Sequence, residues 1–366
     1  SVLRRLIVTQ GDTEPASVEQ QRLLGKTCPS IFDLRNLFQV NVEEGRHLWA
    51  MVYLLHAYFG RDGREEAESL LERNSGDEDN PRILGTFNEP ITDWVSFFMF
   101  TYFTDRDGKY QLKSLAESSF DPLARTCQFM LTEEAHHMQV GESGITRMIE
   151  RTLEVMKKNK TDSIDTIRNA GAVDLQTIQK YINFWFSSSL DLFGSEISSN
   201  AATAFANGLK GRPDEFRYED HSEKNSYLKI ENFVDNKSVI QDVPMRNAMN
   251  EITRRAYVSD CEIGIKRWNR LISKYGYEYN LALPSTKFRR NIGLWANLPI
   301  GPKGDFIKKE SYSKSLKNWL PSDSDKAFIN SLMVQVTELG KTASWIAAPR
   351  RGINNQNVDY SYVDLM

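Results

Sequence analysis

Cysteine is scarce in this chain of 366 residues: Cys28, Cys127 and Cys261 are odd in number and far apart. Such a set favours free thiols in a reducing compartment over a disulfide framework. No apolar run approaches the ~20 residues that a membrane span requires, and no secretory signal is visible. We therefore expect a cytoplasmic protein outside the membrane. Because the chain already reads as helix at Ser1, we also expect residues upstream of it.

A basic excess is also missing, because the formal net charge is −3, and this argues against a nucleic-acid partner. Charge is nevertheless distributed unevenly along the chain. Residues 251–320 contain 14 Lys and Arg against 6 Asp and Glu, a local excess of +8, so the remainder carries −11. A basic segment on an acidic protein indicates an anionic partner, such as a phosphate-bearing small molecule or an acidic protein face; a solvated helix face is the alternative.

Two short motifs, Glu44-x-x-His47 and Glu134-x-x-His137, carry the strongest chemical signal. Residues three apart on an α-helix share a face, so each pair can present a carboxylate and an imidazole to one metal ion. Both motifs fall on apolar stripes, where a carboxylate and a histidine are costly unless they are paired or bound to metal. Two such pairs, with one carboxylate from each of two further helices, form the di-iron or di-manganese site of ferritin-like bundles.

The second motif has a competitor in the same stretch, Glu133-x-x-His136, which has the same spacing. The apolar face of this helix runs through Glu134 and His137. We therefore expect Glu133 and His136 to face solvent or to support the ligands from behind.

The two remaining carboxylates are defined less sharply. Asp105 follows an aromatic stretch over residues 92–103, which we interpret as a buried helix that ends at Asp105. Glu14 stands at a break before a proline, where the helical conformation is disfavoured. Glu14 could equally well be an ordinary turn residue, and Glu19 is the alternative candidate for this ligand.

A complete ligand set would make the buried cluster electrically neutral. Its members would be Glu14, Glu44, His47, Asp105, Glu134 and His137. The four carboxylates would balance the charge of two Fe(II) ions, which is the condition for a charged cluster to survive in a helical core. Mixed oxygen and imidazole ligation suits iron or manganese better than zinc. Six protein ligands also leave coordination positions open for O₂.

Helical spacing predicts an apolar pocket beside the metals, although plain core packing is the alternative for each lining residue. The expected lining residues are Phe98, Thr101, Tyr102 and Met130. Gln10, four residues before Glu14, could donate a hydrogen bond to a substrate carbonyl.

The fold class that follows is mainly α: a ferritin-like four-helix bundle with a di-iron centre over residues 1–160, and a helical extension over 161–366 that completes the substrate pocket. Helices are predicted over residues 2–10, 16–24, 30–59, 64–71, 121–158 with a break near Gly141 and Gly144, several pieces of 162–208, 245–275 and 323–340. Residues 210–243 and 276–321 read as loops or irregular segments, and residues 347–366 as a tail.

Four stretches together resemble the oxygenase component of the aerobic benzoyl-CoA epoxidases, and the resemblance extends over essentially the whole chain. They are Glu44-Gly-Arg-His47, Glu134-Ala-His-His137, the aromatic helix before Asp105, and Gln10-Gly-Asp-Thr-Glu14-Pro. The resemblance implies that Glu14 and Asp105 complete the set of iron ligands. It also implies a di-iron oxygenase of bacterial benzoate breakdown. That enzyme inserts one atom of O₂ across the 2,3 bond of the benzoyl-CoA ring and releases the other as water.

The same resemblance implies electrons from NADPH through a separate flavin and iron–sulfur reductase. It makes the basic segment a candidate binding site for the CoA phosphates. The candidate residues are Arg254, Arg255, Lys266, Arg267, Arg289 and Arg290. Other ferritin-like di-iron proteins stay open as alternatives: a phenylacetyl-CoA-type epoxidase, a desaturase, or a radical-generating subunit in which Tyr102 would serve. A metal-free helical interaction module is the least favoured interpretation, because both motifs lie on apolar faces.

Overall fold

Helices make up nearly all the regular structure of residues 1–214, 226–234 and 237–350, which a computed structural model describes. The first half contains α1 (Val2–Gly11), α2 (Glu14–Gln21), α3 (Ile31–Tyr58), α4 (Gly60–Glu72), α5 (Trp94–Leu115) and α6 (Asp121–Asn159). The second half contains α7 (Ile164–Asn169), α8 (Leu175–Leu190), α9 (Ser199–Ala206), β1 (Tyr227–Val234), β2 (Lys237–Pro244), α10 (Met249–Lys274), α11 (Lys309–Trp319) and α12 (Asp323–Leu332). None of the helices in the described ranges is both long and apolar enough to cross a bilayer.

Two apolar clusters organise the bundle. The large cluster includes Leu37, Val40, Phe98, Tyr102, Val140 and Ile145; the small cluster includes Ile7, Met51, Leu55, Leu112, Cys127 and Met130. The helices α3 and α5 run from the large cluster to the small one, whereas α6 and the α1–α2 segment run the opposite way. The long connection through α4 therefore links two parallel helices, as in ferritin-like bundles with one crossover.

The starts of the long helices are set by local side-chain chemistry. Ser30 accepts a hydrogen bond from the Asp33 backbone N–H at the start of α3, and Asp93 does the same for Ser96 in α5. Such caps satisfy backbone donors that have no partner within the helix. Pro122 lies in the first turn of α6, where its fixed backbone angle fits the helix.

The predicted end of the aromatic helix at Asp105 is wrong, because α5 continues through Gly108 to Leu115. Leu112 and Leu115 are buried in the small cluster. Burial of these side chains outweighs the low helix propensity of Gly108, which is about 1 kcal/mol worse than alanine. Asp105 consequently lies in the middle of a helix that is packed at both ends.

The predicted break near Gly141 and Gly144 is also wrong, because α6 is continuous from Asp121 to Asn159. A Cβ atom on Gly141 would lie 2.5 Å from the Tyr102 backbone nitrogen, and one on Gly144 would lie 2.2 Å from the Phe98 ring. The two glycines therefore permit the close packing of α5 on α6 and do not interrupt the helix.

The second half of the chain covers the bundle from one side. Trp185 of α8 packs edge-on against Phe100, and Trp268 of α10 lies 4.9 Å from the Tyr102 ring, measured between centroids. Trp268 also donates through its indole nitrogen to the Thr146 hydroxyl at 3.0 Å, which joins α10 to α6. The division into a bundle and an extension stays a prediction, since both halves share the large cluster.

Three further segments differ from expectation. Residues 210–243 were predicted as loop, but β1 and β2 form an antiparallel hairpin from Tyr227 paired with Pro244 to Val234 paired with Lys237. Ile230 and Val243 are its buried residues, and they pack against Ala248. Residues 276–321 contain α11, and the last predicted helix is shorter than expected, because α12 ends at Leu332. The predicted tail from 351 onwards lies outside the described residues.

Candidate metal centre

A single buried layer between the two apolar clusters contains all six side chains that the sequence nominated as ligands. Glu14 is the first residue of α2, Glu44 and His47 lie on α3, Asp105 lies on α5, and Glu134 and His137 lie on α6. Each of the six is less than 9% exposed. Four helical elements therefore converge on one point, as the four-helix interpretation requires.

One half of this layer is centred on His47. Its Nδ1 atom lies 3.4 Å from Glu14 Oε2, 3.6 Å from Glu44 Oε2 and 3.7 Å from Glu134 Oε1. We call this group the His47 position; Glu14 is the carboxylate that belongs to it alone.

The other half is centred on His137 and repeats the arrangement. Its Nδ1 atom lies 3.5 Å from Glu44 Oε1, 3.6 Å from Glu134 Oε2 and 3.8 Å from Asp105 Oδ2. We call this group the His137 position; Asp105 belongs to it alone. Glu44 and Glu134 each present one oxygen to either histidine, so both would be shared if each position held an ion.

The donor atoms of this layer fit a pair of divalent cations. Among the described residues, the Nδ1 atoms of His47 and His137, Asp105 Oδ2 and Glu134 Oε2 are buried without any hydrogen-bond partner. Buried polar atoms without partners are costly and rare in folded proteins. Four of them facing one centre, with carboxylate and imidazole chemistry, match the ligands that iron and manganese accept.

The electrostatics of the layer also favour added positive charge. Burial raises the pKa values of Glu44, Glu134 and Asp105 well above their ordinary values, and neighbouring carboxylates raise them further. Against the effect of its burial, the neighbouring carboxylates of Glu14 and Glu44 raise the pKa of His47 to about 12. The cluster therefore retains protons in place of cations when metal is absent.

Two further glutamates orient the histidine rings by contacting the ring nitrogens that face away from the metal layer. The Nε2 atom of His47 lies 3.0 Å from Glu133 Oε2, and that of His137 lies 3.0 Å from Glu43 Oε2. An ionised carboxylate only accepts, so in the neutral imidazole each Nε2 carries the proton and each Nδ1 can present its lone pair to a metal ion. Each histidine is held from the opposite helix, and we call this pair of contacts the crossed brace.

Glu43 is a functional residue that the sequence reasoning missed. The signal was present, because both motifs begin with paired glutamates, Glu43-Glu44 and Glu133-Glu134. The half-buried His136 donates through Nδ1 to the same Glu43 oxygen at 3.1 Å, so it supports the ligands from behind. Glu19, the competitor of Glu14, instead forms a salt bridge with Arg82 at 2.8 Å.

The residues predicted to line a pocket are divided between the two clusters. Met130 belongs to the small cluster, whereas Phe98 and Tyr102 belong to the large one. The Tyr102 hydroxyl donates to the Cys261 carbonyl at 3.2 Å, so it faces α10 and not the metal layer. The Thr101 hydroxyl donates to a backbone carbonyl of its own helix. Gln10 donates through its side-chain amide to Glu14 Oε1 at 2.9 Å.

The six arginine and lysine side chains that were predicted to bind phosphates do not form one surface of unpaired charges. Arg254 and Arg290 are 2% exposed and share Glu196 in an internal ion-pair network. Internal pairing removes these two from any role at the surface, because a buried charge that loses its partner is strongly destabilising. The other four pair at the surface, Arg255 with Glu251, Lys266 with Glu262, Arg267 with Glu142, and Arg289 with Glu89.

The crossed brace leads to a prediction about metal affinity. Replacing Glu133 by alanine should weaken Fe(II) binding by about 10- to 100-fold, because His47 loses the acceptor that fixes its tautomer and ring orientation. Anaerobic titration of the metal-free protein with Fe(II) measures this. Glu154→Ala, at an exposed site of the same helix, is the matched control and should bind as the unmodified protein does. Equal affinity in Glu133→Ala would contradict the role given to the brace.

Comparison with known proteins adds two findings. Residues 44–229 match the family described as phenylacetic acid catabolic protein, and this span includes every predicted ligand except Glu14. The chain is also similar to benzoyl-CoA oxygenase component B of Aromatoleum evansii, with 60% identity over 364 residues. That alignment covers 99% of this chain and 77% of the relative.

Proposed function

Since this chain belongs to the phenylacetic acid catabolic protein family of ferritin-like oxygenases, we propose that it is the oxygenase component of a benzoyl-CoA epoxidase. In this reaction one atom of O₂ adds across the 2,3 bond of the aromatic ring. Two electrons and two protons convert the other atom to water. The observation that carries the proposal is the buried layer of six candidate ligands, in a chain that is 60% identical to a benzoyl-CoA oxygenase component.

The residues that would hold two iron ions are those of the His47 and His137 positions. When bound, the iron pair supplies the two-electron activation of O₂. The chain contributes the surroundings of that chemistry. With metal bound, the crossed brace would hold the proton of each imidazole on Nε2 and leave Nδ1 free to be a ligand, and Glu44 and Glu134 would serve both positions. The flanking apolar clusters exclude water from the layer.

We propose that the substrate ring approaches from the side of the small cluster. The side of the large cluster is less suitable, because the Phe98 ring packs against Gly144 and the Tyr102 hydroxyl is bonded to α10. Met130, one turn before Glu134, is buried among the aliphatic side chains of the small cluster, where no aromatic ring among the described buried members fills the space. The Gln10 amide donates to Glu14 at 2.9 Å and to the Thr13 hydroxyl at 3.4 Å, and we propose that a thioester carbonyl replaces Thr13 as the acceptor of the longer bond.

Partners and compartment follow from the same proposal. The relative is named as component B, which implies further components, and we propose that NADPH supplies the electrons through a separate flavin and iron–sulfur reductase. We place the reaction in the cytoplasm, where NADPH and acyl-CoA thioesters are available. For the CoA phosphates we retain the surface cations Arg255, Lys266, Arg267 and Arg289.

A single-turnover experiment tests the proposal. The iron-loaded protein is reduced chemically in the absence of oxygen and is then mixed with ¹⁸O₂ and benzoyl-CoA. The mass of the thioester product is measured by mass spectrometry. We expect a product heavier by one labelled oxygen atom, and at least a hundredfold less of it from His137→Ala. A preference for phenylacetyl-CoA, or a product two hydrogens lighter from a saturated thioester, would favour the alternative epoxidase or desaturase. Full turnover by His137→Ala would overturn the proposal.

A further inference from the structure

The two metal positions share their bridging carboxylates but differ in what surrounds their other ligands. Glu14, at the His47 position, accepts a hydrogen bond at its Oε1 from the Gln10 amide at 2.9 Å, whereas the Thr13 hydroxyl donates to the Gln10 carbonyl at 2.7 Å and lies 3.3 Å from Oε1. Asp105, at the His137 position, has an Oδ2 atom that is buried without a partner among the described residues. Part of the charge of Glu14 is therefore already compensated by the Gln10 amide, whereas Asp105 Oδ2 has no such donor among the described residues.

The two carboxylates of the crossed brace, Glu133 and Glu43, also differ in how closely a positive charge approaches them. Behind His47, Glu133 forms a close ion pair with Arg46, a half-exposed residue of α3. Behind His137, Glu43 accepts from Gln39 at 2.9 Å and from His136 at 3.1 Å, and Arg46 reaches it only at 4.0 Å. A guanidinium carries a permanent positive charge, so Arg46 offsets the carboxylate behind His47 more than the one behind His137.

From these two asymmetries we propose that the His137 position binds a divalent cation more tightly than the His47 position, and that Arg46 sets much of the difference. The inference rests on the proposed di-iron function and deepens it. A carboxylate behind a ligating histidine raises the basicity of the imidazole, and a cation paired with that carboxylate reduces the effect. Arg46 is therefore a positioning residue that acts through Glu133 and does not contact the metal.

The expected difference is moderate. Residues behind metal ligands typically change metal affinity by about 10- to 100-fold. Arg46 is half exposed, so solvent screens its charge, and we expect a ratio near the lower limit, about tenfold. The hydrogen bond from Gln10 to Glu14 also orients that ligand for binding, which works in the opposite direction and keeps the ratio from being larger.

Position-resolved occupancy is the deciding measurement. Two cations repel each other, so calorimetry would show two binding steps even if the positions were identical. Crystals of the metal-free protein are therefore soaked with half an equivalent of Mn(II), and the anomalous signal is refined at each position. We expect about tenfold more manganese at the His137 position. In Arg46→Gln the ratio should fall towards one, because the His47 position gains affinity.

Two further variants separate the role of Arg46 from a general loss of charge. Arg46→Lys retains the charge and should keep the ratio near that of the unmodified protein. Arg125→Gln removes an exposed arginine of α6, paired with Asp121 and outside the crossed brace, and should also keep it. Equal occupancy in the unmodified protein, a preference for the His47 position, or a ratio unchanged by Arg46→Gln would overturn the inference alone. Manganese and iron bound at neither position would overturn the proposed function as well.

Discussion

Glu134→Gln should make the metal-free protein more stable and remove most of the stabilisation that iron provides. The substitution keeps the shape of the side chain but takes one of four carboxylates out of a buried layer in which burial and neighbouring carboxylates disfavour the ionised form. A buried polar group without a partner costs about 1–3 kcal/mol, and more when it is charged. We therefore expect the Tm of the variant in the presence of a chelator to exceed that of the unmodified protein.

The loss on the metal side is expected to be the larger effect. A ligand at a thousand times its Kd stabilises a folded protein by about 4 kcal/mol for each site. Glu134 lies 3.7 Å from the Nδ1 of His47 and 3.6 Å from that of His137, so its removal affects both positions. The rise in Tm on adding Fe(II) without oxygen should thus be large in the unmodified protein and small in the variant.

Thermal unfolding with chelator and with Fe(II), followed by calorimetry, measures both effects in one series. Glu154→Gln is the matched control, because it makes the same chemical change on the exposed side of the same helix. The control should leave both Tm values within a degree or two of the unmodified protein. A Glu134→Gln protein that is less stable in chelator, or that responds to Fe(II) as strongly as before, would refute the interpretation of this layer.

The six candidate ligands could be predicted from the sequence because this kind of metal site requires a recognisable spacing of residues along the chain. A carboxylate and a histidine three residues apart share a helix face, and an apolar stripe around them signals that the face is buried. The same reasoning could have found the crossed brace. Helical geometry places Glu43 and Glu133 beside the ligand face, but the sequence alone does not say which side chain lies opposite.

What the sequence could not supply was the identity of partners across the fold. Arg254 and Arg290 count as basic residues in any window, but inside the protein both pair with Glu196, about 60 and 95 positions away along the chain. Arg254 also pairs with Glu251 and Arg290 with Asp191, so three carboxylates offset the two charges. The hairpin of β1 and β2 is another case. Its strands expose most of their side chains, so the alternation that marks a half-buried strand is weak.

Gly141→Ala should destabilise the protein although alanine is the better helix former. The added Cβ would lie 2.5 Å from the Tyr102 backbone nitrogen and 2.8 Å from the Phe98 carbonyl oxygen. Both are backbone atoms, so the contact is relieved only by moving α5 away from α6. Overpacking of this kind costs about 1–3 kcal/mol and sometimes more, which exceeds the ~1 kcal/mol gained from helix propensity.

The displacement should also reach the metal layer. Asp105 lies one turn after Tyr102 on α5, and its Oδ2 is already 3.8 Å from the Nδ1 of His137. Moving α5 outward separates Asp105 from its partners on α6, while the His47 position, whose own carboxylate comes from α2, is less affected. We expect Gly141→Ala to bind one equivalent of Fe(II) far more weakly than the other, and to unfold at a lower urea concentration.

Gly45→Ala is the control that separates packing from propensity. Gly45 lies on α3 between Glu44 and His47, and a Cβ there would have no described atom within 4 Å. The same chemical change should therefore stabilise the protein by up to about 1 kcal/mol and leave both iron equivalents bound. If Gly141→Ala behaved like Gly45→Ala in stability and in iron stoichiometry, α5 would not need to approach α6 this closely. The position of Asp105 in the metal layer would then lose its structural basis.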